Sequence, residues 1–497
     1  MGKWLFFDSS RLEEHRNIEF MMHQPQKAAH APIYCSNQVL DMPVSLHYDE
    51  EEQQFKLWYM ENNADKTVVL TYWTSADGLR WERPPLHLFG EADPCNTVMK
   101  GTGQQGTYGV FSLHRVIVDK QEKDPGKKYK MLYWDKPRLT PSGALAAFSP
   151  DGIHWVKHDE DRALFGGHDA FNLMQDADTG QYRCYQVLTQ RREPQSFTAT
   201  DNMPGFKRLV HVRTSGDFAT WSGERLLFDT DGDDPEDMQH YFFQVTRYEG
   251  LYLGYLTAYY SGEQKGDTKL YYSNDGYSWN KTHGRASFLP HGADGEWDSC
   301  WASLIQDPIR LNGNLIFYYH GVNKPHNWIS WKLDETKFLH SHLGWYTNEL
   351  AKVDNLAVIA QDRMHALVND LQELIGERLN REEKSFIRGF GLAVLREDGY
   401  VSVRSRGKEG MFVTEPVTLS GRIAVNCDCS GGWISVGLQD ESGNWIEGYE
   451  PERCVIERQD GTELVLRWNE DGKLPERSGP VKLLVRLSNC DLYSISL

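Results

Sequence analysis

Four copies of one short segment constrain the fold of this chain more than any other feature. Each copy starts with Ser, has Asp two residues later and ends with Trp four residues after the Asp: Ser75–Trp81, Ser149–Trp155, Ser215–Trp221 and Ser273–Trp279. We call these copies the box segments. The Asp is predicted to accept backbone N–H groups across a turn, with Gly next to it at positive φ in three copies and Trp packed beneath. The Trp residues are 74, 66 and 58 positions apart, a repeat typical of propellers or arrays.

The strands around the box segments predict what is repeated. An alternating strand precedes each box, an aromatic-rich strand precedes that one, and a third strand lies further upstream. This unit occurs five times between about residue 35 and residue 333, and the fifth copy has no box. Antiparallel sheets repeated in this way are predicted to arrange radially. The fifth sheet is expected to close the ring with residues 328–333 or with the N-terminal segment.

Two further regions follow the repeats. Apolar residues from 349 to 384 recur at helical spacing, which predicts a helix or helical hairpin that lies across the propeller or pairs in a homo-oligomer. Alternation returns after Gly389 and predicts a sandwich. The fold class is therefore predicted to be all-β. A five-bladed β-propeller spans residues 1–345, a helical insert residues 346–387 and a C-terminal β-sandwich residues 388–497.

Composition excludes several classes of partner. The net charge of −18 argues against a nucleic-acid surface, and no apolar run is long enough to cross a membrane. The apolar stretch near Met1 is too short for a signal peptide, so a cytoplasmic location is predicted unless a leader was removed. The eight cysteines lack zinc spacing, and free buried thiols are favoured over disulfides.

Acidic residues recur where the innermost strand of each predicted blade begins. The stations, one per blade, are Asp41; Asn96, an amide in place of an acid; His168 with Asp169; Glu236 and Asp237 before His240; and Glu296 with Asp298. In a propeller these positions converge on one funnel. Converging carboxylates suit cleavage of a glycosidic bond, where one group stays protonated and another is ionised. Capping of single strands by Asp is the alternative for any one of these residues.

The segment Asp41-Met-Pro-Val resembles the start of blade one in five-bladed glycoside hydrolases of the arabinanase/xylosidase and invertase/fructosidase type. The box segments and the C-terminal sandwich resemble that group too. The resemblance implies that Asp41 is the base or nucleophile, Asp169 the middle carboxylate and Glu236 the acid, with Asp237 as its rival. The chain lacks the Trp-x-Asn-Asp-Pro-Asn-Gly, Arg-Asp-Pro and Glu-Cys motifs of the invertase type, which argues against action on fructosides.

Other residues near the blade mouths are predicted to bind the sugar. The set comprises Asn96, His168, His240, Glu296, Trp297, Asp298, Trp301 and His320, with the two Trp rings stacking on sugar faces. We expect no cofactor and no metal; a histidine-bound axial ion, known in some propellers of this type, is the alternative. Two other functions stay open: a non-catalytic carbohydrate-binding propeller, and a dimeric interaction scaffold.

Overall fold

The computed structural model describes residues 2–28, 31–38, 41–63, 67–90, 93–103, 111–192, 206–282, 284–326, 386–405, 409–419, 421–470, 472–475 and 479–497. These residues form strands, together with short 3₁₀ turns at Pro125–Lys127 and Pro451–Arg453. No helix among them is long and apolar enough to span a membrane. The helix predicted at 349–384 and the closing strand considered at 328–333 lie outside the described residues.

The N-terminal segment contributes strands to two different bodies. Its strands are β1 (Lys3–Leu5), β2 (Leu12–Arg16), β3 (Ile18–Met22), β4 (Gln26–Lys27) and β5 (Tyr34–Ser36). The first three pair with strands near the C-terminal end of the sequence, whereas β4 and β5 both pair with the strand Arg388–Arg396.

The next strands form four antiparallel units, each with its first strand innermost. Unit 1 comprises β6 (Met42–Asp49), β7 (Gln54–Asn62), β8 (Val68–Ser75) and β9 (Thr97–Lys100); unit 2 comprises β10 (Ser112–Val118), β11 (Tyr129–Asp135), β12 (Gly143–Ser149) and β13 (Val156–Lys157); unit 3 comprises β14 (Phe171–Gln175), β15 (Tyr182–Arg191), β16 (Phe206–Ser215) and β17 (Arg225–Leu226); unit 4 comprises β18 (Met238–Tyr248), β19 (Leu251–Tyr260), β20 (Lys265–Ser273) and β21 (Asn280–Lys281). Aromatic and β-branched residues fill the buried middle strands, as expected for sheets packed on both faces.

A fifth unit is assembled from distant parts of the sequence. It contains β22 (Trp301–Leu304), β23 (Ile309–Leu311), β24 (Asn314–Val322) and β25 (Arg388–Arg396), and β4 and β5 complete its outer edge. One parallel bridge, Gly266 to Trp301, joins it to unit 4. The N-terminal segment thus supplies the closing strands, which is one of the two closures that the sequence suggested.

Hydrophobic cores between neighbouring units arrange the sheets in a ring. Among the described residues, one core lies between each successive pair of units from 1 to 5. Another joins the last unit to the first, where Tyr318 and Phe390 pack with Leu57 and Trp73. The sheets therefore surround a common axis as a β-propeller, and the prediction of an all-β propeller followed by a sandwich is confirmed.

The box segments form the predicted turns. In the second box, Asp151 Oδ1 accepts the N–H groups of Ile153 (2.9 Å) and His154 (2.8 Å), and Gly152 has φ +79°. In the third box Phe218 takes the position of this glycine at φ +64°. The carbonyl of Gly152 accepts the indole N–H groups of Trp155 of its own box (2.9 Å) and of Trp58 of unit 1 (2.8 Å), so this turn also ties two units together.

The C-terminal body is a sandwich of two sheets. Its own strands are β26 (Val401–Ser405), β27 (Gly410–Thr414), β28 (Ala424–Asp428), β29 (Trp433–Gln439), β30 (Val455–Glu457), β31 (Asp460–Val465), β32 (Lys482–Ser488) and β33 (Asp491–Ser496). One sheet has the order β3-β26-β33-β28-β31 with β1 beside β33, and the other β2-β27-β32-β29-β30. The predicted boundaries at 1–345 and 388–497 are wrong in two places. Strand β25 belongs to the propeller, and strands β1 to β3 belong to the sandwich.

The cysteines also differ from the prediction. Cys429 and Cys490 form a disulfide that joins two turns of the sandwich. The thiol of Cys427 lies 3.6 Å from the Cys429 sulfur, and it is one of six free cysteines. Burial raises the pKa of the Cys427 thiol to about 12. The preference for free thiols throughout the chain is therefore wrong for one pair, which the sequence spacing alone did not reveal.

Candidate functional site

The inner strands give the propeller axis two distinct ends. Residues at the ends of β6, β10, β14 and β18 line one cavity of about 640 Å³, so these four strands run in the same direction. We call this end of the axis the far end. The opposite end, where the inner strands begin, is called the mouth. Asp41, Asp169 and Asp237 precede their inner strands by one or two residues, and Asp298 precedes β22 by three. All four therefore lie toward the mouth.

Asp41 is held rigidly at the mouth. Its side chain is buried, with 7% of the residue exposed. Oδ2 accepts the Ser36 hydroxyl at 2.7 Å, and Oδ1 accepts the backbone N–H (2.9 Å) and side-chain amide (3.1 Å) of Asn62. Ser36 belongs to the closing strand β5 and Asn62 to β7, so the ring closure itself orients this carboxylate.

Arg388 brings a positive charge toward Asp41 from unit 5. Part of Arg388 reaches the surface, but its guanidinium is buried. This burial lowers the pKa of Arg388 to about 10, and the charges of Tyr59, Tyr241 and Asp41 act in the opposite direction. Units 1, 4 and 5 thus bring a carboxylate, phenols and a guanidinium together at the mouth. Sequence reasoning missed Arg388 because its strand follows a long segment without a box and carries no motif.

Glu61 is a second carboxylate near Asp41 that the sequence did not reveal. It is the last residue but one of the aromatic strand β7 and is 5% exposed. Burial raises the pKa of Glu61, and the nearby charge of Asp41 raises it further. Arg83 Nη2, which lies 3.1 Å from Glu61 Oε2, opposes this shift. Two carboxylates in unequal surroundings are the kind of pair that can divide acid and base roles. Because Glu61 is already paired with Arg83, the simpler interpretation is that Glu61 positions Arg83 and does not act as an acid or base.

An aromatic cluster lies beside Arg388. The ring of Tyr241 meets that of Trp301 edge-on at 5.2 Å, and its hydroxyl is 3.0 Å from His326 Nε2. Trp301 stacks on His326 with the centroids 5.5 Å apart. Only 5% of Trp301 is exposed, so its ring serves this packing. The expectation that Trp301 offers a free face to a sugar is not met in this arrangement.

The remaining predicted catalytic carboxylates have different surroundings. Asp169 Oδ1 lies 2.9 Å from Nδ1 of the buried His168, and the Asp169 side chain is 31% exposed. Asp237 accepts the N–H of Gly262 at 3.2 Å and is half-buried, whereas Glu236 is exposed. Burial lowers the pKa of Lys207, and both acids oppose that shift.

Two predicted sugar-binding residues instead hold the propeller together. Trp297 is 6% exposed and stacks on Tyr319 in the core between units 4 and 5, so it offers no open face. Asp298 is 1% exposed, pairs with Lys27 of β4 at 2.5 Å and accepts the Tyr319 hydroxyl at 3.0 Å. We interpret both residues as structural: they fix the closing strand to unit 5.

The assignment of Asn96 to an inner strand is wrong. Asn96 directly precedes β9, the outermost strand of unit 1, and its amide donates to the carbonyl of Tyr72 at 2.9 Å. Unit 2 begins instead at β10, after Phe111. The error arises because the segment between the box and the outer edge strand is longer in unit 1 than in units 2 to 4.

Three further residues that the sequence predicted to bind sugar are His240, His320 and Glu296. His240 is fully buried, its ring 4.8 Å from that of Phe228, and burial lowers its pKa to about 3. His320 lines an axial cavity of about 30 Å³, and Glu296 accepts the N–H of Ala293 at 2.8 Å. A neutral His240 enclosed by the protein is a packed residue rather than a ligand for a sugar.

Several solved structures resemble part of this chain at low sequence identity. A protein described as a glycoside hydrolase is 13% identical with a TM-score of 0.44, over 61% of this chain and 89% of that one. A thermostable family-43 glycoside hydrolase is 14% identical with a TM-score of 0.38, over 56% and 83%. An endo-arabinase from Bacteroides thetaiotaomicron is 12% identical with a TM-score of 0.37, over 61% and 93%. No protein-family model and no curated protein matches the chain. At these values the activity has to be argued from the residues.

Proposed function

We propose that the protein is a glycoside hydrolase that works at the mouth of the propeller, with Asp41 as its base or nucleophile. The observation that carries the proposal is the position of Asp41 at the mouth, where Ser36 of the closing strand and Asn62 of unit 1 hold its buried carboxylate and Arg388 of unit 5 interacts with it electrostatically. A buried carboxylate held by three donors is oriented before substrate arrives, and such preorganisation is what a positioned catalytic group requires.

The chemistry divides between two carboxylates. Asp41 attacks the anomeric carbon or activates a water, while a protonated acid donates to the departing oxygen. Glu236, with Asp237 as the alternative, is proposed as this acid because both precede the inner strand of unit 4. Arg388 is proposed to stabilise negative charge near Asp41, and Asp169 to orient or tune the pair.

Hydrolysis of a panel of aryl glycosides and oligosaccharides tests the proposal. Wild type is compared with Asp41→Asn, Glu236→Gln and Asp237→Asn, and the exposed Asp124→Asn in a turn of unit 2 is the control. Removing a positioned acid or base is expected to lower kcat/KM by roughly 10²- to 10⁴-fold. The control is expected to retain wild-type turnover. Turnover that persists in all three mouth variants would place the reaction elsewhere.

A non-catalytic carbohydrate-binding propeller is the second candidate. It is favoured by the fact that both oxygens of Asp41 already accept hydrogen bonds from the protein. This candidate predicts sugar binding without turnover in wild type, with Asp41→Asn reducing affinity only. Isothermal titration of the same panel separates the two candidates.

Oligomerisation through residues 349–384 stays a prediction. Sedimentation of the full chain and of a variant without these residues tests it, and an unchanged oligomeric state would remove the scaffold hypothesis.

A further inference from the structure

A second concave site lies at the far end of the axis. Its cavity of about 640 Å³ falls in the size range of small-molecule sites. The ends of four inner strands surround it, and Asp307, which follows the inner strand of unit 5, completes the lining. Asp41 lies at the beginning of its strand, so this cavity is separate from the proposed reaction site.

The floor of the cavity carries a polar cluster whose hydrogen-bonding groups are only partly paired. Arg115 Nη2 donates to Asp307 Oδ2 at 2.6 Å, and Gln244 Nε2 donates to Asp307 Oδ1 at 3.4 Å. The Arg115 side chain is 7% exposed. Its Nη1 has no hydrogen-bond partner among the described residues. That nitrogen is enclosed by the protein, whereas the Asp307 side chain is 42% exposed, so the carboxylate is the part of this cluster that a ligand can reach.

The walls of the cavity combine aromatic rings with neutral polar groups. Tyr48 contributes a half-buried ring, whereas the ring of Tyr129 is almost fully buried, and His47 Nε2 lies 2.7 Å from the carbonyl of Val116. Burial, followed by the nearby charge of Arg115, lowers the pKa of His47 to about 4, so the ring is neutral at physiological pH. Aromatic faces beside hydrogen-bonding groups suit a ligand that has both C–H and O–H surfaces.

The charges around the cavity compensate one another. The pairs are Lys56 with Asp49 (2.8 Å), Arg115 with Asp307 (2.6 Å) and Arg247 with Asp178 (2.5 Å). At the rim, the exposed Lys120 and Lys128 are matched in number by the exposed Glu50 and Glu51. A charged ligand would bring an uncompensated charge into this balanced lining, whereas a neutral one would not.

We propose that the far-end cavity binds a neutral polyhydroxylated ligand, a mono- or disaccharide, independently of the mouth. A hydroxyl of the ligand donates a hydrogen bond to the Asp307 carboxylate, and a ring face packs on the half-buried Tyr48. The site is therefore a secondary sugar site on the opposite side of the propeller from Asp41.

Saturation-transfer NMR with the full chain tests this site. The probes are L-arabinose, D-xylose, D-glucose, D-galactose and maltose at millimolar concentrations, beside D-glucuronate and inorganic phosphate. The proteins are wild type, Arg115→Met, Asp307→Asn and Asp41→Asn. Wild type is expected to bind at least one neutral sugar, and Asp41→Asn is expected to retain the part of that binding that depends on Arg115. Arg115→Met is expected to bind it about fivefold or more weakly, because Asp307 loses the donor that orients its carboxylate toward the cavity.

Asp307→Asn keeps the shape of the floor and makes it more positive. The Asp307→Asn variant is expected to prefer D-glucuronate over D-glucose. Because Asp307 is partly exposed, this variant should fold even if Arg115→Met does not. The proposal is overturned if no neutral sugar binds wild type, or if binding is lost in Asp41→Asn and unchanged in Arg115→Met. Stronger binding of phosphate or glucuronate than of every neutral sugar to wild type would also overturn it. Failure here leaves hydrolysis at the mouth unaffected, so the two proposals are tested separately.

Discussion

Replacing Lys27 with Met is expected to destabilise the propeller by removing the partner of a buried charge. Lys27 Nζ lies 2.5 Å from Asp298 Oδ2, and the Asp298 side chain is 2% exposed against 24% for Lys27. Breaking a fully buried pair costs about 3–5 kcal/mol, whereas exposed pairs contribute about 0–1 kcal/mol. Because Lys27 is partly solvated and the Tyr319 hydroxyl remains at 3.0 Å, we expect a loss of about 2–3 kcal/mol.

The opposite substitution should behave differently. Asp298→Asn removes the buried charge and leaves Lys27 able to reach water, so we expect a cost below about 1 kcal/mol. The double variant should match Asp298→Asn alone. This asymmetry, rather than the loss itself, identifies a buried unpaired carboxylate as the cause.

Urea unfolding followed by tryptophan fluorescence measures the four members of this cycle. The exposed Lys123→Met, at a position in unit 2, is the control and should change the free energy of unfolding by less than about 0.5 kcal/mol. Equal losses in Lys27→Met and Asp298→Asn, or additive losses in the double variant, would refute the reasoning. A fall in turnover in a stably folded Asp298→Asn protein would restore the sugar-binding role first predicted for this residue.

Three further outcomes are expected. Gly152→Ala should lower the midpoint of thermal unfolding, because φ is +79° and the added Cβ would lie 2.6 Å from a ring carbon of Trp58; a midpoint equal to that of wild type would contradict this. Burial would raise the pKa of Asp151, but hydrogen bonds from the turn outweigh this effect and lower the pKa to about 2. The ionised Asp151 therefore stabilises the fold above about pH 4, and this stabilisation is lost as the pH falls toward 2. Asp151→Asn should therefore flatten the acid limb of a stability–pH curve, and an unchanged limb would argue against this role. Peptide mapping without reductant should recover Cys429 linked to Cys490, and recovery of both as free thiols would remove the disulfide.

Local chemistry explains why the box turns were predictable. Each turn is built from residues within seven positions, and the carboxylate of Asp77 accepts the N–H groups of Leu79 and Arg80 just as the sequence indicated. The positions of Asp169 and Asp237 before inner strands were predictable for the same reason. Turn and strand patterns specify where a strand begins, although they do not specify what the neighbouring side chain contacts.

Distant pairing explains what the sequence did not reveal. Asn96 was assigned to the wrong strand because an edge strand and an inner strand have similar alternation. Arg388 reaches the mouth only because β25 pairs with β24 across a long intervening segment. Asp298 looks like an axial acid until Lys27 is placed beside it from the other end of the sequence.

The closure of both bodies by the N-terminal segment has a consequence for biosynthesis. Strands β1 to β5 lie within residues 3–36, and all the partners they have in the described part of the chain are strands in residues 388–496. At ordinary rates of translation they leave the ribosome on the order of twenty seconds to a minute before any of their partners. During that interval the nascent chain exposes the edges and apolar faces that the finished molecule covers. This exposure therefore falls during synthesis, and a mutation that slows translation of the middle of the chain would prolong it without altering any native contact.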